Sequence, residues 1–169
     1  PHDVLFQMMQ YSDIIFGDQN EWEIASGVPH IPFEALDENY VIDREAYLSY
    51  FRKMHRLFPK CKKMVMAVRN QIASSHHTLS GLLYDTVEDQ LYTTRIYDIQ
   101  PIVDPMGVGD AFIAAYIHAH QKWGDENQYC LNFSLSASAI KNTIPGDQNL
   151  VSEEEIISNM TSSGGRIQR

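Results

Sequence analysis

The sequence predicts an α/β protein built on one mixed β-sheet, and three patterns lead to this prediction. Short apolar runs alternate with segments of helical spacing, as in proteins that pack helices on a sheet. The strand-like runs 81–84 and 91–97 are separated by a short acidic segment, which predicts a hairpin rather than a crossover. A glycine-rich turn at 107–109 opens directly onto a helical pattern.

The first part of the chain is predicted to be a helix that leads into a buried strand. Apolar residues recur at helical spacing within 4–9, and the apolar run 14–16 follows. A stretch containing Pro and Gly extends through Pro32, and 44–57 then has the spacing of an amphipathic helix. The run 63–68 is predicted to be a second buried strand.

The last third of the chain is predicted to be helical. One helix runs from Gly109 to its end at Trp123, and a second spans 127–141, where small residues allow close approach. A break at 145–147 follows, and Ser152 with Glu155 forms a capping-box pattern that opens a last short helix.

Composition bounds the class of protein. With 44% hydrophobic residues and no internal repeat or linker, 169 residues are predicted to form one unit with its own core, 1–169. A formal net charge of -9 argues against nucleic acid or an anionic membrane as partner. No run approaches the roughly 20 apolar residues that span a bilayer. The separated Cys61 and Cys130 are predicted to be free thiols, which favours a cytoplasmic protein.

The segment 104–112 carries the pattern most directly linked to chemistry. A glycine-rich turn before a helix leaves first-turn N–H groups free at the positive end of the helix dipole, where they bind anions such as phosphate. Gly107 and Gly109 allow close approach of a ligand to the backbone. A carboxylate beside them, Asp110, can accept a proton during phosphoryl transfer. The spacing alone leaves open a simple turn with Asp as a helix cap.

This segment resembles the C-terminal signature of the PfkB, or ribokinase-like, family of carbohydrate kinases, Asp-Thr-x-Gly-Ala-Gly-Asp followed by a small-residue helix. The resemblance implies that Asp110 is the base that deprotonates a sugar hydroxyl. It also implies that the amides of Gly107, Val108 and Gly109 hold the transferred phosphoryl group. Pro105 and Val108 depart from the usual Thr and Ala, and the β-branched Val108 adds bulk near the nucleotide.

The resemblance also implies an architecture. We expect a ribokinase-like three-layer sandwich, with a mostly parallel sheet and a C-terminal β-hairpin. Family members are about twice this length, so the chain is expected to be only the C-terminal half, with the N-terminal half and lid absent. The N-terminal half of the same protein is then an expected partner, and a homodimer is left open.

A second element supports the resemblance and predicts a metal site. The residues Asn20-Glu21-Trp22-Glu23 follow a predicted buried strand and are similar to the family's Asn-x-x-Glu element near magnesium and triphosphate. Asn20 and Glu23 are therefore implied as Mg²⁺ contacts, mostly through water. Without the resemblance they are more typical of an ordinary helix start. Asp104 is implied as a ligand of a monovalent cation.

The resemblance places ATP contacts at two further positions. Arg69 and Asn70 begin the segment 69–77, where the family has a loop over the ATP phosphates. Arg69 can offer a guanidinium fork to phosphate or to an acid group of the substrate, or can form a surface ion pair. The helix 131–142 corresponds in order to the family's adenine-facing helix, although simple helix packing explains its small residues too. The predicted base-pocket residues are Leu135, Ser138, Ala139 and Asn142.

The implied activity is ATP-dependent phosphorylation of a sugar hydroxyl, with ATP and Mg²⁺ as cofactors. The segments 69–80 and 141–147 and the closing Gly165–Arg166 look like the 2-dehydro-3-deoxygluconate kinase branch, so a sugar acid is the predicted acceptor. One alternative is a ribokinase- or fructokinase-type enzyme for another sugar. Others are a non-catalytic nucleotide-binding module and an unrelated α/β protein in which 107–110 is only a helix cap.

Overall fold

The computed structural model describes residues 2–31 and 41–162, so the predictions at Pro32 and at Gly165–Arg166 lie outside the described residues. The described part begins with helices around one strand, continues with four consecutive strands and ends in a helical C-terminal third. The elements are α1 (His2–Met9), β1 (Ile14–Gly17), α2 (Gln19–Ser26), α3 (Arg44–Leu57), β2 (Lys63–Ala73), β3 (His76–Asp85), β4 (Gln90–Thr93), β5 (Tyr97–Ile99), α4 (Val108–Trp123), α5 (Asn127–Lys141) and α6 (Glu153–Thr161).

The five strands form one mixed sheet, as predicted. β1 is parallel to β2 and pairs with it from Ile14 opposite Lys63 to Gly17 opposite Met66. β3 is antiparallel to β2 and also pairs antiparallel with β4 and β5. Parallel pairing among the described residues is therefore found between β1 and β2, and the hairpins supply the antiparallel pairs.

β2 and β3 form a hairpin that the sequence pattern did not predict, and β2 extends beyond the predicted strand 63–68. β2 continues through Arg69 and Asn70 to Ala73, and its register pairs Arg69 with Leu79. The prediction of a loop at 69–77 is therefore wrong. Burial alternates along this part of the strand, with Val68 and Asn70 buried and Arg69 exposed. Because the buried residue at position 70 is a polar Asn, the sequence does not show the alternation of apolar and polar residues that marks a strand.

The predicted strand 91–97 is two strands rather than one. β4 ends at Thr93, and Thr94 then turns its hydroxyl to accept a hydrogen bond from the N–H of Gly81 at 2.9 Å. The same hydroxyl donates to the carbonyl of Arg95 at 2.6 Å. These side-chain bonds interrupt the ladder before β5 begins at Tyr97.

Helices cover both faces of the sheet and give three layers. On one face a core forms between the sheet and α3, and it includes Met64 and Met66 of β2. On the other face Val65 packs in a core with residues of α4, α5 and α6. Successive residues of β2 therefore serve opposite cores, as the geometry of a strand requires. Among the described residues no helix is long and apolar enough to cross a membrane.

The C-terminal helices agree with the sequence prediction. α5 spans the predicted residues, and α4 ends at Trp123 as predicted. The side chain of Ser152 accepts a hydrogen bond from the N–H of Glu155, whose carboxylate accepts one from the N–H of Ser152. The predicted capping box is therefore confirmed.

The two cysteines are buried and unpaired, as predicted. Burial raises the pKa of the Cys61 thiol to about 11, so the reactive thiolate is scarce at neutral pH. We assign neither thiol a chemical role.

A buried polar cluster fixes the start of β2. The ammonium of Lys63 lies 3.2 Å from the carboxylate of Asp85 and donates to Asn127 at 2.5 Å, while Asn127 donates to Asp85 at 2.9 Å. Burial by itself would raise the pKa of Asp85, but hydrogen bonds from the Glu88 N–H, Asn127 and Lys63 lower it on balance. The cluster joins the hairpin to α5 without leaving a buried charge unpaired.

Lys63→Met is expected to reduce the free energy of unfolding by about 3 kcal/mol, because it leaves the buried carboxylate of Asp85 without its cation. Urea unfolding checks this, with Lys62→Met as control because Lys62 pairs with Asp13 on the surface. Because the pKa of Asp85 is lowered in the folded protein, its contribution is present at neutral pH and is lost as pH falls below its ordinary value of 3.8. An equal loss in both variants would contradict the assignment.

Candidate active site

A cavity of about 510 Å³ opens at the carboxyl end of β1, between the first turns of α2 and α4. In open α/β sheets, ligands bind at the carboxyl ends of strands, where helix N-termini also meet. The cavity is lined by Gly17, Asp18, Gln19, Asn20, Glu21, His30, Ala67, Val68, Arg69, Leu79, Pro105, Val108, Gly109, Asp110, Phe112, Ile113 and Ser138.

The turn into α4 requires glycine at its first position. Gly107 is the residue before the helix and has a φ of 73°, which side chains disfavour. A Cβ on Gly107 would lie 2.1 Å from the carbonyl oxygen of Asp147. Among the described residues no side chain caps this helix, so its first-turn N–H groups remain available to a ligand.

Gly109 differs from Gly107 because nothing in the fold requires it. It lies within α4, and a Cβ there would meet no described atom within 4 Å. Glycine in a helix costs about 0.5–1 kcal/mol relative to alanine. Gly109 lines the cavity, so the space above it is open to a ligand.

The carboxylate of Asp110 lies at the same end of α4. Asp110 is the third helical residue rather than the cap, it is exposed, and it lines the cavity. Its side chain makes no hydrogen bond or ion pair with another described residue. It is thus placed to contact a ligand. The alternative in which Asp110 is the helix cap is wrong, because the cap residue is Gly107.

The segment before α4 is braced by the turn that follows α5. The carbonyl of Asn142 accepts hydrogen bonds from the N–H groups of Val103 (2.8 Å) and Asp104 (3.2 Å). The carboxylate of Asp104 accepts from the N–H groups of Met106 (2.9 Å) and Gly146 (2.8 Å). These hydrogen bonds lower the pKa of Asp104. Asp104 and Asn142 therefore hold two backbone segments together.

The predicted adenine-facing residues occupy different positions. Ser138 lines the cavity and donates to the carbonyl of Val108 at 3.1 Å. Leu135 and Ala139 are fully buried in the core and are not part of the cavity lining. Asn142 is 2% exposed and donates to the carbonyl of Ser138. Only Ser138 of this set reaches the cavity.

The predicted magnesium residues are separated by the fold. Asn20 lines the cavity, while the carboxylate of Glu23 accepts hydrogen bonds from the N–H and ring of His30. These contacts lower the pKa of Glu23. Asp18 and Glu21 line the cavity instead, and they also form the capping box of α2. Their Asp-x-x-Glu spacing was the available signal for them.

Arg69 brings a positive charge to the cavity. It is an exposed residue of β2 that lines the cavity, and it has no hydrogen bond or ion pair with the described part of the chain. Asn70, the next residue, is 1% exposed and points to the opposite face of the sheet. The cavity therefore receives Arg69 but not Asn70.

The fold is a sheet between two helical layers. One cavity of this fold combines a helix N-terminus, a glycine with open space above it and a carboxylate that no described residue engages. A comparison with protein-family models and one with curated proteins give no match. The solved structures that match include a 2-dehydro-3-deoxygluconokinase and a PfkB family carbohydrate kinase, which confirms the resemblance to PfkB kinases and the ribokinase-like fold.

Three solved structures illustrate the likeness. The chain is similar to 2-dehydro-3-deoxygluconokinase from Thermotoga maritima, with 28% identity and a TM-score of 0.80 over 95% of this chain and 45% of that one. A PfkB family carbohydrate kinase from Listeria grayi matches with 24% identity and a TM-score of 0.74, covering 92% and 43%. Ribokinase from Giardia lamblia matches with 16% identity and a TM-score of 0.60, covering 93% and 46%. The chain thus spans slightly less than half of the length of each.

Proposed function

We propose that the chain is the catalytic and ATP-binding part of a carbohydrate kinase that transfers the γ-phosphate of ATP to a hydroxyl of 2-dehydro-3-deoxygluconate. The observation that carries the proposal is that the free N–H groups of α4, the open space at Gly109 and the carboxylate of Asp110 meet at one cavity. The likeness to the kinase from Thermotoga maritima supports the choice of acceptor.

In this proposal the chain works together with an N-terminal half of the same protein. The solved kinases are about twice as long as the chain. Among the described residues β1 pairs only with β2, so its other edge is open to a further strand. The missing half would supply the lid and most sugar contacts. We call the chain together with this N-terminal half the full-length protein.

Phosphate binding is assigned to the start of α4. The N–H groups of Gly107, Val108 and Gly109 lie at the positive end of the helix dipole, where charge that develops on the transferred phosphoryl group is stabilised. Because main-chain N–H groups bind the phosphate, Val108 can replace the family's usual alanine without loss of phosphate binding. Ser138 holds the carbonyl of Val108, and Leu135, Ala139 and Asn142 support the wall from inside the fold.

Asp110 is assigned as the general base. Its carboxylate, in the same first turn of α4 as the phosphate-binding amides, would accept the proton of the attacking sugar hydroxyl. Since no described residue engages this carboxylate, it is available to the acceptor.

Magnesium is assigned to the opposite wall. Carboxylate and amide oxygens of Asp18, Asn20 and Glu21 line the cavity, and such hard oxygen donors are what Mg²⁺ prefers, directly or through water. Glu23 would join them only after leaving His30. When bound, Mg²⁺ neutralises charge on the phosphates.

Arg69→Met is expected to lower kcat/KM by roughly tenfold to 100-fold, because a hydrogen bond to a charged group contributes about 1.5–3 kcal/mol. The guanidinium is assigned to an anionic group of the ligands, either phosphate or the acid group of the sugar. A raised KM for ATP would indicate phosphate, and a raised KM for the sugar acid would indicate its carboxylate. Arg56→Met is the control, because Arg56 is exposed on α3 and lies outside the cavity lining. Equal kinetics of both variants would remove Arg69 from the site.

The proposed acceptor is tested by measuring ADP formation by the full-length protein with Mg-ATP and a panel of acceptors. We expect the highest kcat/KM with 2-dehydro-3-deoxygluconate. Turnover only with ribose or fructose would show that the proposed acceptor is wrong and that the proposed kinase activity is correct. ATP binding without turnover on any acceptor would favour a non-catalytic module.

A further inference from the structure

The resemblance to PfkB kinases implies a monovalent cation at Asp104, but both oxygens of this carboxylate accept backbone hydrogen bonds, whereas Asp18 and Glu21 each use one oxygen in their capping box. One carboxylate oxygen accepts from the N–H of Met106 and the other from the N–H of Gly146, at 2.9 and 2.8 Å. N–H groups present positive charge, whereas alkali and alkaline-earth cations are bound by oxygen atoms. Backbone donors therefore already engage the carboxylate that the ion would contact.

A buried lysine lies at the end of α5 and contacts the turn whose Gly146 N–H donates to this carboxylate. Lys141 is the last residue of α5, is 0% exposed, and donates from Nζ to the carbonyl oxygen of Ile144 at 2.9 Å. Its charge adds to the two backbone hydrogen bonds that lower the pKa of Asp104. No carboxylate of the described residues lies within ion-pair distance of Lys141. A buried ammonium needs compensation, and here the carbonyl oxygen of Ile144 and the negative end of the α5 dipole provide it.

We propose that the Lys141 ammonium, held in the turn 142–147, supplies the fixed positive charge that a dissociable monovalent cation would otherwise supply beneath the catalytic turn, so that phosphoryl transfer does not depend on potassium. Lys141 holds the turn 142–147 through Ile144. That turn supports the segment before α4 through hydrogen bonds to Asn142, and its Asp147 backbone lies directly against Gly107. Lys141 is thus a positioning residue for the phosphate-binding amides.

The test compares the full-length protein in potassium chloride and in choline chloride at equal ionic strength, and it rests on the proposed kinase activity. We expect wild-type turnover and melting temperature to be the same in both salts. Lys141→Ala removes the ammonium and leaves room for an ion. Its kcat in choline should fall roughly 100-fold, the effect of displacing catalytic groups by about 1 Å. Potassium should then raise both its kcat and its melting temperature.

Lys63→Met is the matched control, because Lys63 is also a buried lysine but lies at the start of β2, away from the cavity. It should lower the melting temperature equally in both salts. The proposal is overturned if wild-type turnover requires potassium, or if potassium changes neither property of Lys141→Ala. If the wild type phosphorylates no acceptor, the proposed function fails, whereas the potassium-dependent melting of Lys141→Ala still tests the cation site.

Discussion

Asp110→Asn in the full-length protein is expected to lower kcat by roughly 100-fold to 10,000-fold, the range that a positioned general base contributes. The amide keeps the shape of the side chain and its place on α4 but cannot accept the hydroxyl proton. The KM for ATP should change little, because in the proposed site backbone amides and metal hold the nucleotide. Steady-state kinetics with the sugar acid measure both quantities.

The control for this variant is Asp3→Asn. Asp3 also lies in the first turn of a helix, α1, and is exposed and outside the cavity lining. Both variants should melt at the wild-type temperature. A kcat for Asp110→Asn within about threefold of wild type would exclude the residue as the base, since such a loss is far below a general-base contribution.

Gly109→Ala and Gly107→Ala are expected to separate catalysis from folding. At Gly109 a methyl group meets no described atom, so Gly109→Ala should melt at or above the wild-type temperature, because alanine favours the helix. The same methyl group would occupy the proposed phosphate position. We therefore expect kcat to fall roughly 100-fold, as when one oxyanion donor is lost.

Gly107→Ala should instead destabilise the protein, because a φ of 73° and a contact of 2.1 Å with the carbonyl of Asp147 oppose a side chain. The expected cost is about 1–3 kcal/mol, the usual range for strained backbone. Melting curves and kinetics on both variants check the contrast. An active, stable Gly109→Ala protein would show that no ligand group occupies this space.

The parts of the site that could be predicted from sequence are those fixed by local rules. The glycine-rich turn predicted the start of α4 and therefore the position of Asp110 in its first turn. The first-turn N–H groups of a helix have no partner within the helix, so this end was expected to face a ligand cavity, and it does. The capping box at Ser152 predicted α6 for the same kind of reason. Both signals depend on residues within one turn of one another.

The parts that could not be predicted depend on contacts between distant residues. The burial of Asn70 and the extension of β2 follow from pairing with β3. The carboxylate of Glu23 binds His30, seven residues away. Glu23 therefore does not line the cavity, although it matches the Glu of the family's Asn-x-x-Glu pattern. Asp104 contacts the turn after α5, in which Lys141 is buried, and these residues are far apart in the chain. Nothing in the neighbouring sequence signals this contact.

The most direct test of the account is a crystal structure of the full-length protein with a non-hydrolysable ATP analogue and the sugar acid. The account predicts the terminal phosphate within about 3 Å of the N–H groups at 107–109. It also predicts an acceptor hydroxyl at hydrogen-bonding distance from the carboxylate of Asp110. A terminal phosphate bound away from α4, or an Asp110 that faces no acceptor hydroxyl, would contradict it.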